Sequence, residues 1–327
     1  MIRIGIIGTG KIVQRFIKQA LTNKKVKITC IYSRSLDKAE IWAKKYNIAH
    51  STDDLNKIIE HIDAIYIASP NGLHYKQSKL LLNNNIHVLV EKTITFTVEE
   101  VKDLISLARS KKIILLEAYV TVHLPIFSKL KKLVHEINPE VVNLNFNRIS
   151  SRMPSVEKGI YDSVFDKDFG KGSTYDSLVY PLQLVLYLLG KVKTVKAMAI
   201  KLPNDVNLSN HVILKHENGT ITTITCSKGV TSYAQSEFIG HNSSLVLSQV
   251  HPLSGIKVYT KNGIKEIADN TNEKSLMTYE LNDFVKMIKN KDYLSRDYWL
   301  NHSLMNLEVI EAIIKSENEL GVEVYEK

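Results

Sequence analysis

The chain has 327 residues, 44% hydrophobic and 24% charged, the balance of an ordinary soluble globular protein with room for two domains. Its formal charge of +9 comes from scattered lysines and arginines, with no dense basic tract or aromatic interleaving, which speaks against nucleic-acid binding and leaves solubility and a mild bias toward anionic ligands. Cys30 and Cys226 lie in separate strand-like segments, so neither a disulfide framework nor a metal site is expected; with no membrane-length apolar run and no signal-peptide core after Met1, the expectation is a cytoplasmic protein.

Arg3 to Ile7 reads as a short apolar strand, followed by Gly8-Thr9-Gly10-Lys11-Ile12-Val13 and a helical pattern through Ile12, Phe16, Ile17, Ala20 and Leu21. Strand, glycine turn and helix in that order make a phosphate site: Gly8 permits the turn, Gly10 lets the backbone approach a pyrophosphate, and the helix N-terminus offers unpaired amides. Val13 stands where the fingerprint has its third glycine, a position of helix packing rather than phosphate contact. A lone G-x-G also describes an ordinary βα turn.

A second apolar strand, Val26 to Tyr32, ends at Ser33-Arg34, where the ribose-reading residue belongs. No carboxylate sits there. Ser33, Arg34 and Lys38 suit a 2′-phosphate better than a bare 2′-hydroxyl, so NADP is expected, with NAD as the alternative cofactor; a solvent-facing Arg34 stacked on adenine would serve either. Helix 37 to 46, the link Ile48 to Thr52, helix 53 to 60 and strand Ala64 to Ala68 continue the alternation of a doubly wound parallel sheet, a Rossmann arrangement. Ser69-Pro70-Asn71-Gly72-Leu73-His74 forms the next loop, Asn71 offering an amide to ribose or nicotinamide and His74 serving either the ligand or the following helix. The run His87-Val-Leu-Val-Glu91-Lys92 is a buried strand ending in an acid and a lysine, the place where ligands bind in such sheets. Taken alone, these two residues also fit a solvated strand-end ion pair. Helix 97 to 110 and strand Ile113 to Ala118 complete the unit.

The loop Ala68-Ser-Pro-Asn-Gly-Leu-His74 and the motif Glu91-Lys92-Thr93 resemble those of the glucose–fructose oxidoreductase, inositol dehydrogenase and MocA family, including its dihydrodiol and xylose dehydrogenase-like members. The resemblance implies a catalytic Lys92, NAD(P) in the first domain, and cofactor-binding roles for Glu91, Asn71 and the glycine loop. Thr93 replaces the family's proline, and Val122-His123 stands where those members carry arginine-phenylalanine.

The segment from Glu117 to Pro125 leads into a helix, Ile126 to Ile137. Strand-like alternation then covers Val141 to Ser150 and the segments 193–202, 210–216, 220–228, 235–240, 244–250, 256–260 and 264–268, with hairpin signals at Asn218-Gly219 and Asn262-Gly263. The expected second domain is therefore α+β, with a large, mostly antiparallel open sheet. The division is 1–120 for dinucleotide binding and 121–327 for substrate binding and assembly; in the family the open sheet face commonly pairs with a second subunit. Between these strands, Gly170 to Tyr180 matches the family's glycine-aspartate-tyrosine pattern, with Leu178 in place of a glycine. Asp176 and Tyr180 are expected on one face of one helix running to Leu189. Gln183 is a further candidate substrate contact. A lone tyrosine on such a helix is ordinarily core.

The leading reading is an NAD(P)-dependent oxidoreductase moving a hydride between nicotinamide and the hydroxyl or carbonyl carbon of a sugar, polyol or cyclic diol. Tyr180 is the general acid/base, Lys92 its electrostatic partner and Asp176 the orienting carboxylate, with no metal; the assembly is a homodimer or larger. A dinucleotide-binding sensor that has lost turnover is the alternative.

Overall fold

The computed structural model describes residues 1–269 and 271–319; the last residues of the expected second domain, 320–327, lie outside them. Contacts divide the chain into two compact units, Met1–Pro125 with Asn270–Leu304, and Ile126–Asp269 with Met305–Lys327.

The first unit is a parallel sheet of β1 (Ile2–Ile7), β2 (Val26–Tyr32), β3 (His50–Thr52), β4 (Ala64–Ile67), β5 (His87–Glu91) and β6 (Leu115–Ala118), in the order β3-β2-β1-β4-β5-β6. The link expected at Ile48 to Thr52 is thus a short edge strand. Every residue of β4 is buried, as are Val88, Leu89 and Val90 of β5, because helices cover both faces of such a sheet. The helices are α1 (Lys11–Ala20), α2 (Leu36–Tyr46), α3 (Leu55–Ile58), α4 (His74–Asn83) and α5 (Val98–Ser110). Thr97 and Glu100 form a reciprocal capping box that fixes the start of α5. β1 pairs with β2 on one side and β4 on the other, so the chain reverses its winding at the carboxyl end of β1.

The second unit begins with α6 (Pro125–Ile137) and carries an eight-stranded sheet. Its strands are β7 (Val141–Asn147), β8 (Val192–Lys201), β9 (Asn207–His216), β10 (Ile221–Ser227), β11 (Ser236–Ile239), β12 (Ser243–Gln249), β13 (Ser254–Thr260) and β14 (Gly263–Glu266). The order is β14-β13-β12-β11-β7-β10-β9-β8, antiparallel throughout except for the parallel pair β7–β10. Short helices α7 (Met153–Val156) and α8 (Gly172–Asp176) precede α9 (Val179–Leu189). On the solvent face of the sheet, Val141, Met198, Ile200, Ile213 and Ile221 are exposed.

The chain closes with α10 (Leu276–Asn290) and α11 (Tyr293–Glu317). Both fall in the 121–327 span expected for the second domain, whereas α10 and the part of α11 up to Leu304 belong to the first unit: Met277, Leu281, Phe284 and Val285 of α10 complete the core formed by β1, β2 and α1. An amphipathic stripe does not name the surface that receives it. Among the described residues no helix is long and apolar enough to cross a membrane.

Candidate active site

At the carboxyl end of β1 the chain turns through Gly8, whose φ of +116° and 2.6 Å approach of a hypothetical Cβ to the Ala68 carbonyl oxygen exclude any side chain. Gly10 is the N-cap of α1 and makes no side-chain cap bond. A Cβ there would meet nothing within 4 Å. The open space beside Gly10 and the amides of Lys11 and Ile12 form a cradle that fits a dinucleotide pyrophosphate, with Thr9 in the turn. Val13 is buried, as a packing position requires.

Ser33 is buried at the end of β2 and its Oγ accepts from the Ser35 amide at 3.4 Å, while Arg34 and Lys38 are exposed. Ser35 caps α2 by accepting from the Lys38 amide. Arg34 in this loop and Lys38 in the first turn of α2 are two exposed cations near the carboxyl end of β2.

The loop after β4 is tied by His74, which is fully buried. Its Nε2 lies 2.9 Å from the Ser69 carbonyl oxygen and its Nδ1 2.9 Å from that of Thr93. Burial, the dominant cause, lowers its pKa against the pull of these two carbonyls, and the neutral ring donates to one of them. His74 thus works on the backbone, stapling the Ser69 loop to the residue after Lys92. Ser69 Oγ donates to Gln77 at 2.6 Å, and Asn71 begins a short 3-10 turn after Pro70.

Glu91 ends β5 and accepts a 2.5 Å hydrogen bond from the Tyr66 hydroxyl; the Tyr66 ring stacks on Phe16 of α1 at 3.8 Å. Burial raises the Glu91 carboxyl above its ordinary range, opposed by Tyr66 and the Lys92 charge. The Lys92–Thr93 peptide bond is cis. Thr93 is buried, in the place of the family's proline. On neighbouring β6, Glu117 accepts from the Ile94 amide at 3.0 Å and from Ser303 at 2.6 Å. Val122 is buried, and His123 Nδ1 lies 2.8 Å from Asp283 of α10, so this junction histidine is held in an ion-pair geometry.

In the second unit, Asp176 and Tyr180 do not share a helix. α8 ends at Asp176 and α9 starts at Val179. Pro181 is the reason: it lacks an N–H, and its ring would strike the carbonyl of residue 177 in a continuous helix. Leu178 has no exposed surface, so in place of a glycine it fills core rather than a pocket.

α8 is held against β9 by hydrogen bonds Ser173–Asn210, Asn207–Thr174 and Asn210–Thr174. At Gly172, φ is +71° and a Cβ would stand 2.2 Å from the Asn207 carbonyl oxygen. Asp176, so anchored, forms an ion pair with Lys228, whose side chain is 10% exposed. Tyr180 stacks on His251 at 3.9 Å and packs beside Phe146 at 5.4 Å. Gln183 is 2% exposed.

Sequence reading missed Lys228, His251 and Glu280. Lys228 continues the buried register of Thr222, Ile224 and Cys226, and Glu280 shares the apolar stripe of Met277, Leu281 and Phe284; an ionisable residue on an apolar face was the available signal. His251 carries no such signal, since a distant hairpin brings it to Tyr180. Among the described residues no group of three or more His, Cys, Asp or Glu could hold a metal.

Residues 2–119 match the family described as "Oxidoreductase family, NAD-binding Rossmann fold", and residues 140–246 match the "GFO/IDH/MocA C-terminal domain". The chain is 33% identical over 318 residues to the scyllo-inositol 2-dehydrogenase (NADP(+)) IolU of Bacillus subtilis (strain 168), covering 96% of this chain and 97% of that one. It is 34% identical to the uncharacterized oxidoreductase YgjR of Escherichia coli (strain K12), over 76% of this chain and 77% of that protein. In fold it superposes on the 3-ketoreductase KijD10 of Actinomadura kijaniata, solved with NADP and TDP-benzene, with TM-score 0.85 and 20% identity over 96% and 97% of the two chains. The glycine turn at the switch point of the sheet, the Glu91-Lys92 strand end and the end-to-end match to a named dehydrogenase place this chain in the Gfo/Idh/MocA family of NAD(P)-dependent oxidoreductases.

Proposed function

We propose that this oxidoreductase uses NADP(H) to interconvert a hydroxyl and a carbonyl on a sugar, polyol or cyclic diol. The observation that carries the reading is the Gly8–Gly10 cradle at the end of β1 beside a strand that ends in Glu91-Lys92. The NADP-dependent name of a 33% identical relative supports the cofactor.

The first 120 residues supply cofactor binding, with Gly8 to Ile12 on the pyrophosphate, Ser33, Arg34 and Lys38 on the adenosine ribose phosphate, and Ser69, Asn71 and the Glu91–Lys92 end toward the nicotinamide side. His74 contributes by fixing that loop. Residues 121–327 supply the substrate side and assembly, apart from the stretch that joins the first unit, α10 and α11 up to Leu304. The cofactor supplies hydride acceptance and donation; the chain's own residues position and move the proton. Tyr180 takes the hydroxyl proton during oxidation and returns it during reduction, Lys92 holds the substrate oxygen by an ammonium hydrogen bond and favours tyrosinate, and Asp176 orients a neighbouring hydroxyl. A panel of sugars, polyols and diols with both cofactors, followed at the absorbance of reduced nicotinamide, tests the reading. Absence of turnover across that panel, with tight NADP(H) binding, would mark a sensor instead.

NADP(H) is expected to bind more tightly than NAD(H). A charge-assisted phosphate bond from Arg34 contributes on the order of 1.5–3 kcal/mol, roughly tenfold or more in affinity. Fluorescence titration of both cofactors checks this; equal affinities would sink it, and Arg34→Ala should erase most of the difference.

A homodimer or larger assembly is expected through the sheet face bearing Met198, Ile200 and Ile213, which are 74%, 57% and 50% exposed. Several large apolar side chains exposed on one sheet face are more than a monomer ordinarily leaves open, and a second subunit would cover them. Light scattering that reports a 37.1 kDa particle at micromolar concentration would refute it.

A further inference from the structure

Lys228 stands one residue beyond the end of β10 and continues the face on which Thr222, Ile224 and Cys226 are fully buried. Its backbone is held on both sides: the amide donates to the Leu208 carbonyl at 2.9 Å, and the carbonyl accepts from the Ser150 amide at 2.8 Å. Ser227, just before it, is joined to Ser209 of β9 by a 2.6 Å bond between hydroxyls. Asp176, at the other end of the ion pair, is referred to the same strand, because Asn207 and Asn210 of β9 hold Thr174 of α8 and themselves donate to the Glu317 carboxylate at 2.8 and 2.7 Å. Ammonium and carboxylate are thus set against each other by β9, through β10 on one side and α8 on the other.

The pair is asymmetric. The Lys228 side chain is 10% exposed and that of Asp176 35%, so the ammonium lies behind and the carboxylate in front. Lys228 contacts Oδ2 of Asp176, and among the described residues it pairs with no other carboxylate. An ion pair so covered is a poor source of stability, since well-packed apolar residues often serve as well or better. What it does supply is orientation: a carboxylate held at one oxygen by a donor on a fixed strand is kept from turning about its Cβ–Cγ bond. We propose that Lys228 is a positioning residue for Asp176, holding the carboxylate in the one orientation from which it accepts a hydrogen bond from a substrate hydroxyl on the carbon next to the reacting one. It rests on the proposed role of Asp176, and it narrows the substrate class to compounds with vicinal oxygens, one reacting and one read by the pair.

The test uses the full-length protein with NADP(H), the best substrate of the sugar, polyol and diol panel, and deoxy analogues of that substrate, each lacking a hydroxyl on a carbon next to the reacting one. On the full substrate, Lys228→Met should lower kcat/KM by about 10- to 100-fold, as misplacement of a substrate-orienting group does, with the NADP(H) Kd unchanged. On one of the analogues, already slow with wild type, Lys228→Met and Asp176→Asn should each change kcat/KM by less than about threefold, because the hydroxyl they serve is gone. A merely structural fault would lower the substrate and every analogue alike. Lys228→Arg, which keeps a cation on the carboxylate, should recover most of the loss. Equal losses on the substrate and all analogues, or Lys228→Met at wild-type kcat/KM, overturn the proposal. Should Lys228→Met fold poorly, Lys228→Gln, which keeps an N–H donor for the carboxylate, carries the same comparison: a loss confined to substrates bearing the hydroxyl supports the role, and an even loss overturns it. If Asp176→Asn keeps full activity, or no member of the panel turns over, the reading of Asp176 fails and the role of Lys228 with it. If Asp176→Asn loses activity while the Lys228 variants do not, that reading stands and the positioning role alone falls.

Discussion

Lys92→Met and Tyr180→Phe are each expected to lower kcat by about 10²- to 10⁴-fold, the range of a lost general acid/base contribution. Tyr180→Phe removes the hydroxyl alone, because the ring keeps its stacking on His251 and its contact with Phe146. Cofactor affinity should therefore survive it. If the two residues act as one acid/base unit, the double variant loses little more than either single one, since groups acting together are strongly non-additive. If the Lys92 ammonium acts on Tyr180 as proposed, the alkaline limb of the rate profile should move upward in Lys92→Met. Multiplicative losses in a steady-state double-mutant cycle would leave an enzyme and discard the pairing.

The second large effect belongs to Lys228. Its side chain is nearly buried, and it pairs with an Asp176 side chain that is 35% exposed. Removing one partner of a fully buried pair costs about 3–5 kcal/mol, because the other charge stays desolvated. Here the exposed side of Asp176 lets water recover part of that, and the expected cost of Lys228→Met is on the order of 2–3 kcal/mol, a fall of several degrees in Tm. Lys228→Met with Asp176→Asn should recover most of the stability, and the coupling energy read from denaturant melts measures the pair. The double variant should not regain turnover, since it lacks the orienting carboxylate. Additive stability changes would show that the pair contributes nothing of its own.

What the sequence by itself determined about this protein is whatever repeats within a short window. The glycine turn, the alternation of apolar strands and helices, the run ending at Glu91-Lys92 and the alternating segments of the second unit are local patterns. Local sterics and burial enforce them: Gly8 adopts a φ that side chains reject, and Val88 to Val90 have no polar face because helices cover both sides. The family followed from the same local motifs.

Tertiary structure alone decided how distant pieces meet. Asp176 and Tyr180 fell on two helices because Pro181 interrupts the run, and α8 is tied separately to β9 through Ser173, Thr174, Asn207 and Asn210. α10 falls within the 121–327 span expected for the second domain, yet its apolar stripe packs into the core of the first unit, because a hydrophobic stripe carries no address. Lys228 and Glu280 stand on apolar registers where an ionisable residue costs free energy, and only the tertiary structure shows what surrounds each of them. Lys228 meets Asp176 across 52 residues of chain, and Glu280 is carried into the core of the first unit with neither carboxyl oxygen hydrogen-bonded. Pairing over such separations is fixed by long-range packing, which no local pattern encodes.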